Sequence, residues 1–254
     1  MLPSSLKFAA FLLLVLFASC KNDELVFPIA PSEPRIKKIS VDYNNYRVFN
    51  YENGLLSKYE KVANGRSLQA IIPHYNIENQ LEWEEQSIEE TKTVLVYSYD
   101  SNKRIDKATW SIEGENRYYL KYHYNQKNQI ILTEQYIIDE SEPFYKIEFD
   151  YDLSGNVREK RMFFDNNLEE RRIFDYDNSI NPYYCLRKNL FYDITYSKNN
   201  ITQEIIISRI NNAGQITPRV VNYTYDEHNY PIQGTVESIP VSSNAKTVEN
   251  YEYD

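Results

Sequence analysis

The stretch Phe149-Asp-Tyr-Asp-Leu-Ser-Gly-Asn-Val157 decides the fold of this chain. Apolar and polar residues alternate up to Tyr151, and Val157 begins a second alternation after the intervening polar residues. Alternation with a period of two is typical of a half-buried strand. Asp152 favours a turn because its side chain accepts hydrogen bonds from the backbone ahead of it, and Gly155 tolerates a positive φ. The stretch therefore predicts a strand, a turn and a returning strand.

The same phrase recurs along the chain at intervals of roughly 25 to 30 residues, or about twice that where no copy is recognised, which indicates a repeat. Each copy predicts a β-hairpin. Hairpins joined in order by short turns predict an all-β fold, an antiparallel meander of repeated hairpins that forms a curved, barrel-like sheet over residues 35–254. The further copies are YSYDSNKRI (97–105), YHYNQKNQI (122–130), FDYDNSINP (174–182) and YTYDEHNYP (223–231), with a short form at 49–55 and a truncated YEYD at 251–254.

Two segments between the copies give weaker patterns. A strand is expected from Ile77 to Trp83, whereas the acid-rich stretch from Glu84 to Lys92 favours a loop or a short helix. Later in the chain, Asn199-Asn200 predicts a turn between a strand at 190–196 and a strand at 201–209.

The first nineteen residues are expected to be a secretion signal. Lys7 precedes an apolar run from Phe8 to Phe17, which is too short to span a bilayer. The run ends in Phe17-Ala-Ser-Cys20, which resembles a bacterial lipobox with Phe17 where that motif usually has Leu. The resemblance implies cleavage before Cys20 and lipid attachment at Cys20, with enough acyl chains for stable anchoring. The alternative is an ordinary cleavable signal followed by a cysteine.

Residues 20–34 are expected to form the lipidated end and a flexible tether. Pro28, Pro31 and Pro34 interrupt any regular pattern there. The pair Asp23-Glu24 resembles the acidic export signals that send Bacteroidetes lipoproteins to the outer face of the outer membrane. The alternative is a solvated linker, because charged residues are normal in such segments.

Charge and cysteine content limit the partners of the mature chain. The formal charge is −9 and becomes −9 − 1 = −10 without residues 1–19, which hold Lys7 and no acid. An acidic chain has no electrostatic footprint for nucleic acid or for anionic lipid headgroups, so membrane attachment is assigned to the anchor. Only Cys185 follows Cys20, which excludes an intramolecular disulfide framework.

The chemistry-bearing residues form no recognisable catalytic motif. His74, His123 and His228 are scattered and show no zinc spacing, and there is no nucleophile elbow or phosphate loop. Cys185 lies in an apolar context that favours a packing residue over a nucleophile. We therefore expect no catalytic residue, no metal and no cofactor. The alternative is an envelope hydrolase acting on glycans through Cys185 or a carboxylate pair, for which the candidates are Glu84, Glu85, Glu89 and Glu90.

A calcium loop is a weaker interpretation of the central phrase. Asp150, Asp152 and Ser154 have the spacing of the first EF-hand ligands, and Gly155 follows them. The twelfth position is Arg161, where that loop requires a bidentate Glu, and strands flank the phrase. A turn is therefore favoured.

The 24 tyrosines suit a sheet whose face is only partly dry, because each offers an apolar ring with a polar tip. Cross-strand packing is the favoured role. Contact with sugars or peptides is the alternative. Charged residues on the outward positions disfavour a membrane-spanning barrel, which would present an apolar band to lipid.

The quoted phrases resemble YD repeats, although they lack the regular Gly-Arg pairing of those repeats. The fuller resemblance is to Bacteroidetes lipoproteins of unknown function with a porin-like fold, carried by the lipobox, DNSINPYY (177–184), SKNNIT (197–202), YTYDEHNYP and the terminal YEYD. It implies a lipid-anchored protein of the outer membrane, at its periplasmic face or the cell surface. The expected role is a non-enzymatic binding or structural module for a glycan or an envelope protein.

Overall fold

The computed structural model describes residues 34–89, 91–188, 196–210, 213–238 and 246–254. Sixteen strands and one short 3-10 helix follow each other along these residues. The strands are β1 (Ile36–Asp42), β2 (Asn45–Glu52), β3 (Leu55–Ala63), β4 (Arg66–Tyr75), β5 (Leu81–Ile88), β6 (Thr91–Tyr99), β7 (Ile105–Ile112), β8 (Glu115–Tyr124), β9 (Ile130–Ile137), β10 (Tyr145–Tyr151), β11 (Val157–Phe164), β12 (Asn167–Ile180), β13 (Asn199–Ile210), β14 (Ala213–Tyr225), β15 (Pro231–Ser238) and β16 (Lys246–Tyr253), and the helix (Tyr184–Lys188) lies between β12 and β13.

The meander closes into a barrel. Each strand pairs antiparallel with the next, and β1 pairs with β16 through partners such as Ile39 and Tyr251. The amide of Asp254 also donates to the carbonyl of Arg35 (2.9 Å). Closure removes the two open edges that a long meander would otherwise expose. The predicted all-β, barrel-like meander is confirmed.

The inner face carries the core. On β10 the alternation points Ile147 and Phe149 inward, and Phe149 is 4% exposed. The outward residues of the same strand are charged, as Glu148 and Asp150 show by pairing with Arg161 of β11. Buried members of the core are Ile36, Ile39, Phe49, Leu56, Ile71, Leu186 and Tyr251 on one side, and Leu81, Leu95, Tyr97, Ile105, Ala108, Tyr122, Ile130, Phe149 and Val157 on the other.

The repeated phrase forms the same turn at one end of the barrel. At Asn125, for example, the side-chain Oδ1 accepts from the amides of Lys127 (2.8 Å) and Gln129 (3.0 Å). The residue before the returning amide, Asn128, has φ of 58°. Equivalent turns begin at Asn76, Asp100, Asp152 and Asp226. A side-chain acceptor followed by a residue that tolerates positive φ is therefore the chemical content of the phrase.

A ring of tyrosines lines this end, which we call the tyrosine rim. Seven of these tyrosines donate their hydroxyl to the carbonyl of a residue at the start of the preceding strand, whereas Tyr225 donates to the carboxylate of Asp177. Burial raises the pKa of six of these phenols, those of Tyr51, Tyr75, Tyr99, Tyr124, Tyr151 and Tyr253, to about 12 for Tyr99. The pairs are Tyr51 with Ile36 (2.9 Å), Tyr75 with Leu56 (2.9 Å), Tyr99 with Leu81 (2.7 Å), Tyr124 with Ile105 (2.7 Å), Tyr151 with Ile130 (2.8 Å), Tyr176 with Val157 (2.6 Å) and Tyr253 with Pro231 (2.8 Å).

The copy at 174–182 differs from the predicted hairpin. β12 runs on to Ile180, and β13 begins at Asn199, so the expected turn at Asn199-Asn200 is wrong. Asp177 still accepts from the amide of Ser179 (2.9 Å), but its second bond comes from Asn200 (3.1 Å) across the inserted segment. The insertion has opened a turn of the common type. Most of the strand expected at 190–196 lies outside the described residues, which resume at residue 196.

The expected loop or helix from Glu84 to Lys92 is also wrong. Glu84 lies within β5, and Lys92 lies within β6. β5 begins only at Leu81, because Ile77 is a fully exposed turn residue. A bulge opposite Tyr75 lets Leu81 and Glu84 both face inward, which hides the alternation in the sequence. Within the described residues, no helix is long and apolar enough to cross a bilayer.

Candidate functional site

The carboxylates proposed as an acid/base pair do not come together. Glu84 faces the barrel interior and is 2% exposed, whereas the next residue, Glu85, faces outward with half of its side chain exposed. Glu89 lies in the turn after β5, and Glu90 lies outside the described residues. Neighbouring strand residues point to opposite faces, so Glu84 and Glu85 cannot share a substrate.

Glu84 is nevertheless chemically unusual. Its Oε1 accepts from Gln86 Nε2 (2.5 Å), and its Oε2 has no partner among the described residues. Burial raises the pKa of this carboxyl to about 7, because the lost solvation outweighs the hydrogen bonds from Gln86 and Tyr97 that favour the charged form. Glu84 is therefore a proton-binding group inside the wall of the barrel.

The histidines lie on three separate parts of the outer surface. Each is within 4 Å of a carboxylate, His74 with Glu85, His123 with Glu134 and His228 with Glu227. Among the described residues, no group of three or more His, Cys, Asp or Glu side chains could hold a metal ion.

An ion pair also disfavours the interpretation of this phrase as a calcium loop. Asp150, which would be the first ligand, contacts Arg161, the twelfth position of that interpretation, at 2.7 Å. Asp152 instead accepts from the amide of Asn156 (2.8 Å) in the turn.

The inserted segment after β12 closes the tyrosine rim. Leu186 is fully buried among core residues of β1 to β4 and β16. The hydroxyl of Tyr183 accepts from Arg47 Nη1 (3.1 Å), and the ring packs against Phe49. Cys185 lies in this segment and donates from Sγ to the carbonyl of Pro182 (3.0 Å). The segment therefore contributes packing, and Cys185 sits within it as a partly buried residue.

A continuous row of side chains crosses the outer wall from β4 to β9, and we call it the outer row. Its members stand directly opposite one another on successive strands, so their side chains share the outer face. Neighbouring strands lie about 4.8 Å apart, and the row therefore spans about 24 Å across six strands. The members are His74, Trp83, Val96, Thr109, Tyr119 and Tyr136.

The two ends of the outer row differ in how much aromatic surface they leave open. At the β8–β9 end, Tyr119 and Tyr136 stack at 4.7 Å, and the ammonium groups of Lys107 and Lys121 cover their rings. Tyr136 is only 6% exposed as a result. At the β4–β5 end, His74 stacks on Trp83 at 3.6 Å and covers one face of the indole.

A depression of about 150 Å³ lies beside Trp83. Glu85, Ser87, Lys92 and Val94 line it together with the indole, and these residues face outward on β5 and β6. The depression thus combines an aromatic plane, an apolar edge, a carboxylate and an ammonium group. This set is suited to a ligand that has both an apolar face and several hydroxyl groups.

The sequence pattern gives no sign of the role of Trp83, because that role depends on the register of the neighbouring strands. Its strand was expected, but the residues beside it in space lie on β4 and β6, nine or more positions away. The predicted lipid-attachment residue, Cys20, lies outside the described residues.

Comparisons with known proteins bear on the fold. No family model matches this chain, and no curated protein matches it. Among solved structures, a porin-like protein from Bacteroides uniformis is 14% identical, with a TM-score of 0.56 over 86% of this chain and 96% of that one. A porin-like protein from Bacteroides vulgatus is 11% identical, with a TM-score of 0.44 over 87% and 99%. The Tc holotoxin pore of Photorhabdus luminescens is 13% identical, with a TM-score of 0.36 over 80% of this chain and 9% of that one. The first likeness shows a shared barrel fold and confirms the expected porin-like fold.

Proposed function

We propose that this protein is a non-enzymatic binding module of the bacterial cell envelope, held by a lipid on Cys20, and that the surface around Trp83 binds a glycan. The observation that carries the proposal is the depression beside Trp83 on the outer wall of the barrel. The apolar C–H face of a sugar ring stacks on an indole, and its hydroxyl groups reach the flanking carboxylate and ammonium groups.

The interior supports a binding role on the outer wall. The tyrosine rim is filled by core side chains, and its hydroxyl groups are bonded to backbone carbonyls or, for Tyr225, to the carboxylate of Asp177. These tyrosines stabilise the barrel and are not free to contact a ligand. Trp83 instead lies on the outside, where a ligand reaches it without any change in the barrel.

The envelope location rests on the N-terminal sequence. Residues 1–19 have the pattern of a secretion signal, and Phe17-Ala-Ser-Cys20 has the pattern of a lipid-attachment site. The first described strand, β1, starts at the tyrosine rim, where Ile36 pairs with Tyr253. The segment that carries Cys20 therefore precedes a strand that starts at this rim.

The test is a glycan array probed with residues 21–254 and with two variants. Trp83→Ala removes the aromatic plane. Tyr43→Ala removes a tyrosine that is 87% exposed in the turn between β1 and β2. We expect specific glycan binding that Trp83→Ala abolishes and Tyr43→Ala leaves unchanged. Binding that survives Trp83→Ala, or an array without any signal from folded protein, would overturn the proposal.

A further inference from the structure

The second surface of interest lies at the end of the barrel opposite the tyrosine rim, which we call the distal rim. Most of its connections have two residues, as at Glu113-Gly114 and Asp165-Asn166, whereas seven residues, 138–144, join β9 to β10. The longer connection is fixed by backbone bonds, because Phe144 donates to Gln135 (3.0 Å) and Asp165 donates to Phe144 (2.9 Å). These two hydrogen bonds hold the connection in place at the distal rim.

This connection forms a depression of about 240 Å³. Ile137 and Phe144 supply apolar surface, and the Phe144 ring packs at 5.8 Å from Tyr118 and at 6.3 Å from Phe164. Ile137 and Phe164 remain 46% and 49% exposed. Apolar side chains left half in solvent around a depression are typical of a contact surface.

The charge of the depression is negative. Glu140, Glu142 and Asp165 line it, and none of the three has an ion-pair partner among the residues that the structure describes. One ammonium group, that of Lys146, donates to Asn166 at the edge (2.9 Å). Three carboxylates against this one cation leave an excess of negative charge.

The rest of the distal rim has the same sign. Where the structure describes them, the turns at this rim contribute the further acids Glu89, Glu113 and Asp139 and contain no lysine or arginine. Turns at the tyrosine rim, by contrast, contain both signs, the cations Lys103, Arg104 and Lys127 beside the acids Glu78, Asp100, Asp152, Asp226 and Glu227. The distal rim is therefore an acidic end that attracts a cationic partner over about one Debye length, about 8 Å at physiological salt.

We propose that the depression at the distal rim docks a basic segment of a polypeptide partner. A lysine or arginine side chain of the partner would lie between Glu140, Glu142 and Asp165 and against the Phe144 ring. Its charge complements the carboxylates, and its alkyl stem and cationic head complement the aromatic and apolar floor. This surface is separate from the one around Trp83, so the two proposals stand or fall independently.

The experiment measures the fluorescence anisotropy of a labelled octapeptide of alternating lysine and leucine, titrated with residues 21–254 at low salt. A peptide of alternating glutamate and leucine is the matched negative probe. We expect saturable binding of the lysine peptide that weakens steeply with added salt, and no binding of the glutamate peptide.

Two double variants locate the site. Glu140→Gln/Glu142→Gln removes charge inside the depression, and Glu89→Gln/Glu113→Gln removes the same charge elsewhere on the rim. We expect the first to weaken binding about tenfold or more, since close charge pairs are worth at least ~1.5 kcal/mol, and the second to have little effect. Circular dichroism checks that both variants fold.

Phe144→Leu tests the aromatic floor while it keeps an apolar side chain in contact with Tyr118 and Phe164. We expect it to weaken binding of the lysine peptide, because the cation–π contact is lost. Equal losses in the two double variants would indicate a diffuse acidic field and overturn the docking site. Absence of lysine-peptide binding at low salt would overturn it as well.

Discussion

In the tyrosine rim, the hydroxyl group of a tyrosine on one strand bonds to a carbonyl at the start of the preceding strand. Tyr99 donates to the carbonyl of Leu81, which begins a strand of the preceding hairpin and is 1% exposed. A buried carbonyl that loses a hydrogen-bond donor costs about 1 to 3 kcal/mol. The repeated Tyr in the phrase therefore contributes a hydrogen bond through its oxygen as well as packing through its ring.

Tyr99→Phe is expected to lower the free energy of unfolding by about 1 to 2 kcal/mol, because the ring remains and the Leu81 carbonyl loses its donor. Urea unfolding followed by circular dichroism measures the change. The matched control is Tyr43→Phe in an exposed turn, which should leave the stability unaltered. Equal stability of Tyr99→Phe and the control would show that the rim bond contributes nothing.

Glu84 predicts a pH dependence of stability. Its folded pKa of about 7 lies above the unfolded value of 4.5, so the folded state keeps the proton longer. The free energy of unfolding should therefore fall as pH rises from about 4.5 to about 7 and then level off, with a total loss of about 3 kcal/mol.

Glu84→Gln removes this titration and keeps a hydrogen-bonding group beside Gln86. We expect the variant to be more stable than the parent at pH 8 and to match it more closely at pH 5. Urea titrations at several pH values between 5 and 8 provide the measurement. Parallel stability curves for the two proteins would contradict the buried position of the carboxyl.

The hairpin is the element that the sequence predicts well. Its signals are local, since an acceptor side chain, a residue with positive φ and flanking alternation all lie within nine positions of Tyr151 and its equivalents. The turn at Asn76-Ile-Glu-Asn-Gln80 obeys the same chemistry, although Pro73 stands in place of the first aromatic residue and conceals the copy.

The predictions of individual elements were wrong where residues distant in the sequence determine the structure. Glu84 lies within a strand because its carboxyl group fits in the barrel interior beside Gln86. No local sequence pattern predicts this position. Asn200 lies in a strand instead of a turn, and its amide completes the turn of Asp177, 23 positions earlier. The outer row around Trp83 depends on register across six strands, and register is fixed by pairing rather than by composition.

Asn125→Ala tests the turn as an element. Two amides, those of Lys127 and Gln129, would lose their acceptor, and we expect a loss of about 1 to 2 kcal/mol in the free energy of unfolding. Gln126→Ala changes an exposed residue of the same turn and should cost little. The Asx bonds would be dispensable if urea unfolding gave the same midpoint for both variants.

At the scale of the whole molecule, the barrel has two unlike ends and a charged wall. The tyrosine rim is filled by the core and by the inserted segment, and it is where β1 starts and β16 ends. The distal rim is acidic and carries the depression beside Phe144.

Cys20→Ser tests the anchor in a bacterial host. We expect the parent protein to incorporate an alkyne-labelled fatty acid and to sediment with membranes. The variant should take up no label and stay in the supernatant, since its hydroxyl cannot form the thioether. A Cys185→Ser protein controls for the other thiol. Membrane association of unlabelled Cys20→Ser would contradict lipid anchoring.

The most direct test of the binding account uses the two tryptophans of the chain, Trp83 on the outer wall and Trp110 on the inner face. Labelling with 5-fluorotryptophan gives two fluorine resonances, which Trp83→Phe and Trp110→Phe assign. Titration with a glycan identified on the array should shift the Trp83 resonance and leave that of Trp110 in place. A shift confined to Trp110 would move the ligand into the barrel interior and contradict the account.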